Sequence, residues 1–161
     1  MAIPTGYSRI QITLHWLVAA LILPQFVLHD GISGAFRQLM QGGTPAFDWT
    51  VPAHIAGGIA ILGLVVWRLS LRTSRGAPPP PAGPAWQVLA AHVAHWALYA
   101  LLVLLPLSGI IAWFGAVGAA GQAHEIMTTL LLVLVAIHVL AALWHQFWLK
   151  DRLLVRMKRP G

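Results

Sequence analysis

Histidine is the residue type in this chain whose positions suggest chemistry. The 161-residue sequence contains eight histidines and no cysteine. A polar imidazole placed in apolar surroundings is costly unless it is hydrogen-bonded or binds something, so such histidines are candidates for function. With no thiolate available, any metal centre in this chain must depend on histidine ligands. The histidines in or at the edges of long apolar runs are His15, His54, His92, His95, His124 and His138.

Composition indicates that these apolar runs cross a membrane. The chain is 58% hydrophobic and only 9% charged, whereas a soluble domain is typically about 25% charged. A helix needs about 20 residues to span a bilayer, and the backbone in hydrocarbon must satisfy its own hydrogen bonds. The sequence therefore predicts an all-α membrane protein, a single domain over residues 1–161, folded as an up-down-up-down bundle. Its four transmembrane helices are expected at about 10–28, 51–71, 87–114 and 124–149.

The basic residues predict the orientation of the bundle. Of ten lysines and arginines, all but Arg37 fall before the first helix, between the end of the second and the start of the third, or after the fourth. The positive-inside rule places these regions, and both termini, in the cytoplasm. The net charge of +6 is explained by this topology, so little supports nucleic-acid binding.

The connections differ in character. Asp30–Thr50 is predicted to be a periplasmic loop long enough to fold over the bundle, with His29 a solvated interfacial residue. Gly76–Pro84 is proline-rich and predicts a stiff cytoplasmic linker. Gly115–Gln122 is predicted to be a tight turn.

Depth in the bundle sorts four histidines into two pairs. His54 and His124 lie near the periplasmic ends of their helices, whereas His15 and His138 lie nearer the cytoplasm. His124 and His138 are 14 residues apart on one helix, so they project within about 40° of each other and about 21 Å apart. One helix could thus supply a ligand to each of two stacked cofactors. A haem iron held by two imidazoles has both axial positions filled, which suits electron transfer, and two such haems would form an electron path across the membrane.

These histidines have a second interpretation. A lone histidine in a helical bundle is more often a hydrogen-bonded interior residue than a ligand, although the pairing favours ligation. His92 and His95 compete for the cytoplasmic haem because they are on the third helix near that side.

Further residues near the cytoplasmic boundary are candidates for contacts to cofactors. Arg9, Arg68 and Arg72 could pair with haem propionates, or could serve topology alone. His145 lies seven residues after His138, on the same face and about 10 Å nearer the cytoplasm. It suits a quinone or proton site, with Arg9 or Arg152 nearby, or else a simple interfacial anchor.

Several stretches of the chain resemble the prokaryotic cytochrome b561 family, and the resemblance covers nearly its whole length. The histidine-bearing motifs occur in order, with the same 14-residue interval on the last helix. The matching stretches are YSRIQITLHWLVA (7–19), PAHIAGGIAILGLVVWRL (52–69), HVAHWALYALLVLLPLSGI (92–110), HEIMTTLLLVLVAIHVLAALWHQF (124–147) and KDRLLVRM (150–157).

The resemblance implies two b haems held by four helices in the bacterial inner membrane. Matching the motifs gives His15 with His138 for the cytoplasmic haem and His54 with His124 for the periplasmic one, which decides against His92 and His95. It also implies an oxidoreductase that passes single electrons between a periplasmic donor and ubiquinone, with superoxide as one donor. Superoxide-oxidising relatives, however, have a longer, charged connection in place of residues 115–122.

Two alternative functions accompany this interpretation. Within the same class, the chain could be a cytochrome b anchor subunit for a periplasmic dehydrogenase or hydrogenase. From another class, it could be a haem-free, histidine-lined metal transporter. The scarcity of acidic residues in the predicted helices speaks against the transporter, since only Glu125 is available there.

Overall fold

The computed structural model describes residues 6–79, 83–151 and 153–161. Residues 80–82 of the proline-rich connection, and Arg152, lie outside the described residues. Within the described ranges every regular element is helical, which confirms the predicted fold class. The elements are α1 (Arg9–Val27), α2 (His29–Met40), α3 (Thr50–Arg75), α4 (Ala85–Gly115) and α5 (Gly118–Trp144), then a π-helical turn (His145–Leu149) and a 3₁₀ helix (Leu153–Met157).

Four of these helices are long and apolar enough to cross a membrane: α1, α3, α4, and α5 together with its π-helical turn. Large apolar side chains cover their outer surfaces; Val27, for example, is 82% exposed and Phe147 71% exposed. Consecutive long helices pack against each other along the series α1, α3, α4 and α5. An apolar outer surface of this kind is the arrangement expected of a helix bundle in lipid.

The prediction of a loop over Asp30–Thr50 is wrong for the first half of this connection, because α2 forms there. Its apolar side chains recur with helical spacing and face the end of the bundle, which outweighs the low helix propensity of Gly31 and Gly34. The second half remains irregular up to Asp48, whose carboxylate accepts a hydrogen bond from the Thr50 backbone N–H at 2.9 Å. This bond lowers the pKa of Asp48 from its usual value. It also gives a hydrogen-bond acceptor to a backbone N–H at the start of α3 that has no acceptor within the helix.

The tight turn predicted over Gly115–Gln122 is shorter in the structure. Only Ala116 and Val117 connect α4 to α5, with Ala116 in the left-handed conformation at φ 51°. Gly118 and Gly121 belong to α5 because its first turns pack against α2. A Cβ at Gly121 would lie 2.5 Å from Cε1 of Phe36, so the absence of a side chain there permits the close approach.

Replacing Gly121 with alanine is therefore expected to loosen the packing of α2 on α5. Forcing an extra carbon into a filled contact costs about 1–3 kcal/mol, which corresponds to about 2–4 °C in thermal midpoint for each kcal/mol in a chain of this size. The measurement is thermal unfolding of the purified protein in detergent. Gly63→Ala is the matched control, because a Cβ at Gly63 meets nothing within 4 Å; equal midpoints for the two variants would contradict the packing role of Gly121.

A small apolar core lies at mid-depth between α1, α3 and α4. Val18, Ile61 and Val65 are buried there and pack against partly buried neighbours that include Tyr99 and Leu102. Along α3, Ile61 and Val65 fall between His54 and Arg68. The core thus separates two polar levels of the bundle.

Residues 6–8, the described part of the α3–α4 connection and the segment 153–161 meet at one end of the bundle, here called the basic end because Arg9, Arg72, Arg75 and Lys150 lie there. Gln11 Nε2 donates to the Gly76 carbonyl at 3.1 Å, and Trp16 Nε1 donates to the Met157 carbonyl at 2.7 Å. The C-terminal segment is thereby held against the first helix. The opposite end, covered by α2, is called the α2 end.

Candidate cofactor site

Two pairs of histidines face each other inside the bundle at two levels of α5. The ring centroids of His54 and His124 are 6.3 Å apart, and those of His15 and His138 are 6.4 Å apart. A metal ion between two imidazoles, with each metal–nitrogen distance about 2 Å, places their ring centroids about 6 Å apart. Each pair is therefore spaced to share one metal ion.

The pair at the α2 end lines a large cavity. The cavity is open at its mouth, and all five α-helices contribute to its walls. Most lining residues are apolar, and Gly58 and Gly109 are among them. A mostly apolar cavity with two facing imidazoles suits a flat macrocycle such as haem.

His29 belongs to this cavity and is not simply the solvated residue that the sequence predicts. It lines the wall with Ser33 and Phe36, and its Nε2 lies 3.3 Å from the Ser33 hydroxyl. Its place on α2 explains the difference, because residues 29, 33 and 36 share one helical face. Recognising that segment as a helix would have revealed the pattern.

His124 is held by the neighbouring helix α4. Its Nδ1 lies 2.9 Å from the Leu105 carbonyl oxygen and 3.1 Å from the Ser108 hydroxyl. A carbonyl oxygen only accepts, so Nδ1 carries the hydrogen and Nε2 keeps its lone pair. That tautomer is the one that coordinates a metal through Nε2.

His54 and Arg68 have buried polar atoms that the described residues leave without a hydrogen-bond partner, namely Nδ1 of His54 and Nη1 of Arg68. Such atoms are rare in folded proteins, and each calls for an explanation such as a bound group or a water molecule. Arg68 lies towards the basic end, with its guanidinium carbon 5.9 Å from the Tyr99 ring centroid. A cationic donor buried beside a histidine pair fits the carboxylate of a haem propionate.

At the basic end a third histidine approaches the pair. The ring centroid of His95 is 5.5 Å from that of His138, with the rings edge to face. His92, in contrast, is exposed, and its Nδ1 lies 2.8 Å from the Val88 carbonyl of its own helix. The two histidines of α4 therefore differ, and only His95 reaches the interior.

His145 forms a hydrogen bond with Asp151, between Nδ1 and Oδ2. The second carboxylate oxygen accepts from the Leu153 backbone N–H at 3.1 Å. His145 begins the π-helical turn that ends the last spanning segment, and short π-helical insertions are frequent at functional sites. The sequence singled out His145 but gave no sign that Asp151 would fold back onto it. Arg9 is exposed at the first turn of α1.

Four apolar spanning helices with two stacked pairs of facing histidines define the class of a membrane cytochrome b. The comparisons with known proteins agree with this class. The family model for prokaryotic cytochrome b561 matches residues 6–160. A protein named cytochrome b562, from Cereibacter sphaeroides, is 36% identical over 155 residues, which cover 96% of each chain.

The chain belongs to the prokaryotic cytochrome b561 family. It is accordingly a multi-pass membrane cytochrome that binds haem b and transfers electrons. The predicted family is confirmed, and the haem-free metal transporter considered from the sequence is not supported.

Proposed function

We propose that this protein carries electrons between a donor at the α2 end and membrane ubiquinone at the basic end, through two b haems. The observation that carries the proposal is the pair of matched imidazole separations at two levels of α5, 6.3 and 6.4 Å. Haem supplies a reversible one-electron change at its iron, while the protein supplies ligands, burial and spacing.

The proposed axial ligands are His54 with His124 at the α2 end and His15 with His138 at the basic end. The separation between His95 and His138, 5.5 Å, is shorter than two imidazoles on opposite sides of one metal ion require. His95 is therefore assigned to the surroundings of the second haem rather than to its iron. Arg68 is the proposed partner of a propionate there, and exposed Arg9 a secondary one at the same end.

The proposed orientation places the basic end in the cytoplasm and the α2 end in the periplasm of a bacterial inner membrane. It rests on the positive-inside rule and on the contact between the start of α1 and the C-terminal segment 153–161 at the basic end. At the α2 end Asp30, Asp48 and Glu125 outnumber Arg37. This charge balance favours a neutral or cationic donor over the superoxide anion.

His145 is the proposed contact for ubiquinone. Asp151 occupies Nδ1 of its ring, which leaves Nε2 free to hydrogen-bond a quinone carbonyl or to carry a proton to it. The two histidine pairs also suit the alternative function of an electron-transferring anchor subunit. In both functions electrons would enter at one end of the bundle and leave at the other.

The proposal is tested first by counting haems. The fully loaded protein is expected to hold two haems per chain, both extractable by acid acetone because the chain has no cysteine to tether them. The measurement is a pyridine haemochrome assay against protein concentration from amino-acid analysis. A result of one haem per fully loaded chain would rule out the two-pair assignment.

A further inference from the structure

Two oxygen atoms within one turn of α4 contact the ring of His124. Ser108 Oγ donates to the Leu105 carbonyl at 2.8 Å, and both oxygens lie within hydrogen-bond distance of His124 Nδ1, at 3.1 and 2.9 Å. The Nδ1 hydrogen is therefore shared between two acceptors. The Leu105 acceptor is a backbone carbonyl, which a substitution does not remove. The Ser108 acceptor is a side-chain hydroxyl, which a substitution to alanine removes.

Gly109 completes this contact by leaving space for the imidazole. A Cβ at this position would lie 3.2 Å from Cε1 and 3.3 Å from Nδ1 of His124, which is tighter than an ordinary van der Waals contact. The ring consequently rests close to the backbone of α4. Its orientation is set by the serine, the carbonyl and the glycine together.

We propose that Ser108 is a positioning residue that lowers the reduction potential of the haem at the α2 end by acting through His124. The inference rests on the proposed ligand assignment. A hydrogen bond accepted from Nδ1–H makes the imidazole a stronger electron donor through Nε2. A stronger axial donor stabilises oxidised iron more than reduced iron, so the potential falls.

The two ligands proposed for this haem differ in their surroundings. Nδ1 of His54 is buried and has no partner among the described residues, whereas Nδ1 of His124 has two. The Ser108 hydroxyl, while donating to Leu105, is polarised into a better acceptor, because hydrogen bonds in a chain strengthen one another. Of the two proposed ligands, His124 is the one whose Nδ1 lies within hydrogen-bond distance of a side-chain hydroxyl.

The test is a spectroelectrochemical titration of the purified, haem-loaded protein and three variants. Ser108→Ala is expected to raise the midpoint potential of one haem and leave the other unchanged. Ser108→Thr is expected to keep the wild-type potential, since a threonine hydroxyl in a helix can bond the same carbonyl. Ser70→Ala is the matched control, because Ser70 also donates to a carbonyl three residues earlier, at 2.8 Å, but on the exposed face of α3.

The outcomes separate this inference from the proposed function. The haem that shifts must be the one that His124→Ala removes. No shift in Ser108→Ala, an equal shift of both haems, or loss of the haem itself would overturn the tuning role while leaving the two-haem assignment standing. Wild-type protein with fewer than two haems would instead overturn the proposed function.

Discussion

Replacing His54 or His124 with alanine is expected to remove one of the two haems and to spare the other. Replacing His15 or His138 should have the reverse effect. Loss of one axial imidazole leaves the iron weakly held and no longer low-spin, whereas the other pair is separated from the change by the apolar core around Ile61 and Val65. The measurement is the haem content and the low-temperature visible spectrum of each variant.

His92→Ala is the control for these replacements, because His92 is exposed and its ring contacts its own helix. It should keep both haems. The decisive comparison is with His95→Ala, since His95 also approaches His138. If that variant lost the low-spin signal of the basic-end haem while His15→Ala retained it, the assignment of His15 would be wrong.

His145→Ala is expected to slow electron transfer to ubiquinone about 10²-fold or more while both haems remain spectrally intact. The expectation follows from the effect of removing a positioned group that hydrogen-bonds and protonates a reacting oxygen, which typically costs at least a factor of about 10² when proton transfer limits the rate. The measurement is stopped-flow oxidation of chemically pre-reduced protein by a soluble ubiquinone analogue.

Asp151→Asn provides a second, milder test of the same site. An amide can still hold the imidazole in place through its oxygen but lacks the stronger hydrogen bond that a carboxylate accepts. A smaller slowing than in His145→Ala is therefore expected. Unchanged rates in both variants, with intact haems, would move the quinone site away from His145.

The arrangement of the four spanning helices could be predicted from the sequence because it depends on local properties. Length, apolar composition and the lack of water in a bilayer leave a helix as the only solution for each long run. The interval between His124 and His138 likewise follows from helical geometry alone. Their partners on α1 and α3 could be anticipated by depth, since antiparallel helices of similar length bring predictable levels together.

The predictions from sequence were wrong where packing between helices outweighs the local conformational preference of the residues. Glycines suggested a loop across the segment that forms α2, and a turn across the first residues of α5. In the structure, however, the apolar face of α2 covers the bundle, and Gly121 makes room for Phe36. The role of His29 in the cavity was missed for the same reason.

The sequence by itself determined the class of this protein, its spanning helices and the histidines that could serve as ligands, because each depends on composition or on spacing within one helix. Only the tertiary structure decided which residues surround these histidines and His145. Ser108 and Gly109 contact His124, His95 lies beside His138, and Asp151 is hydrogen-bonded to His145. These contacts join residues on different elements, and their geometry depends on how the helices are rotated and offset. Helical periodicity fixes where a residue lies on its own helix, but packing between helices fixes what it meets.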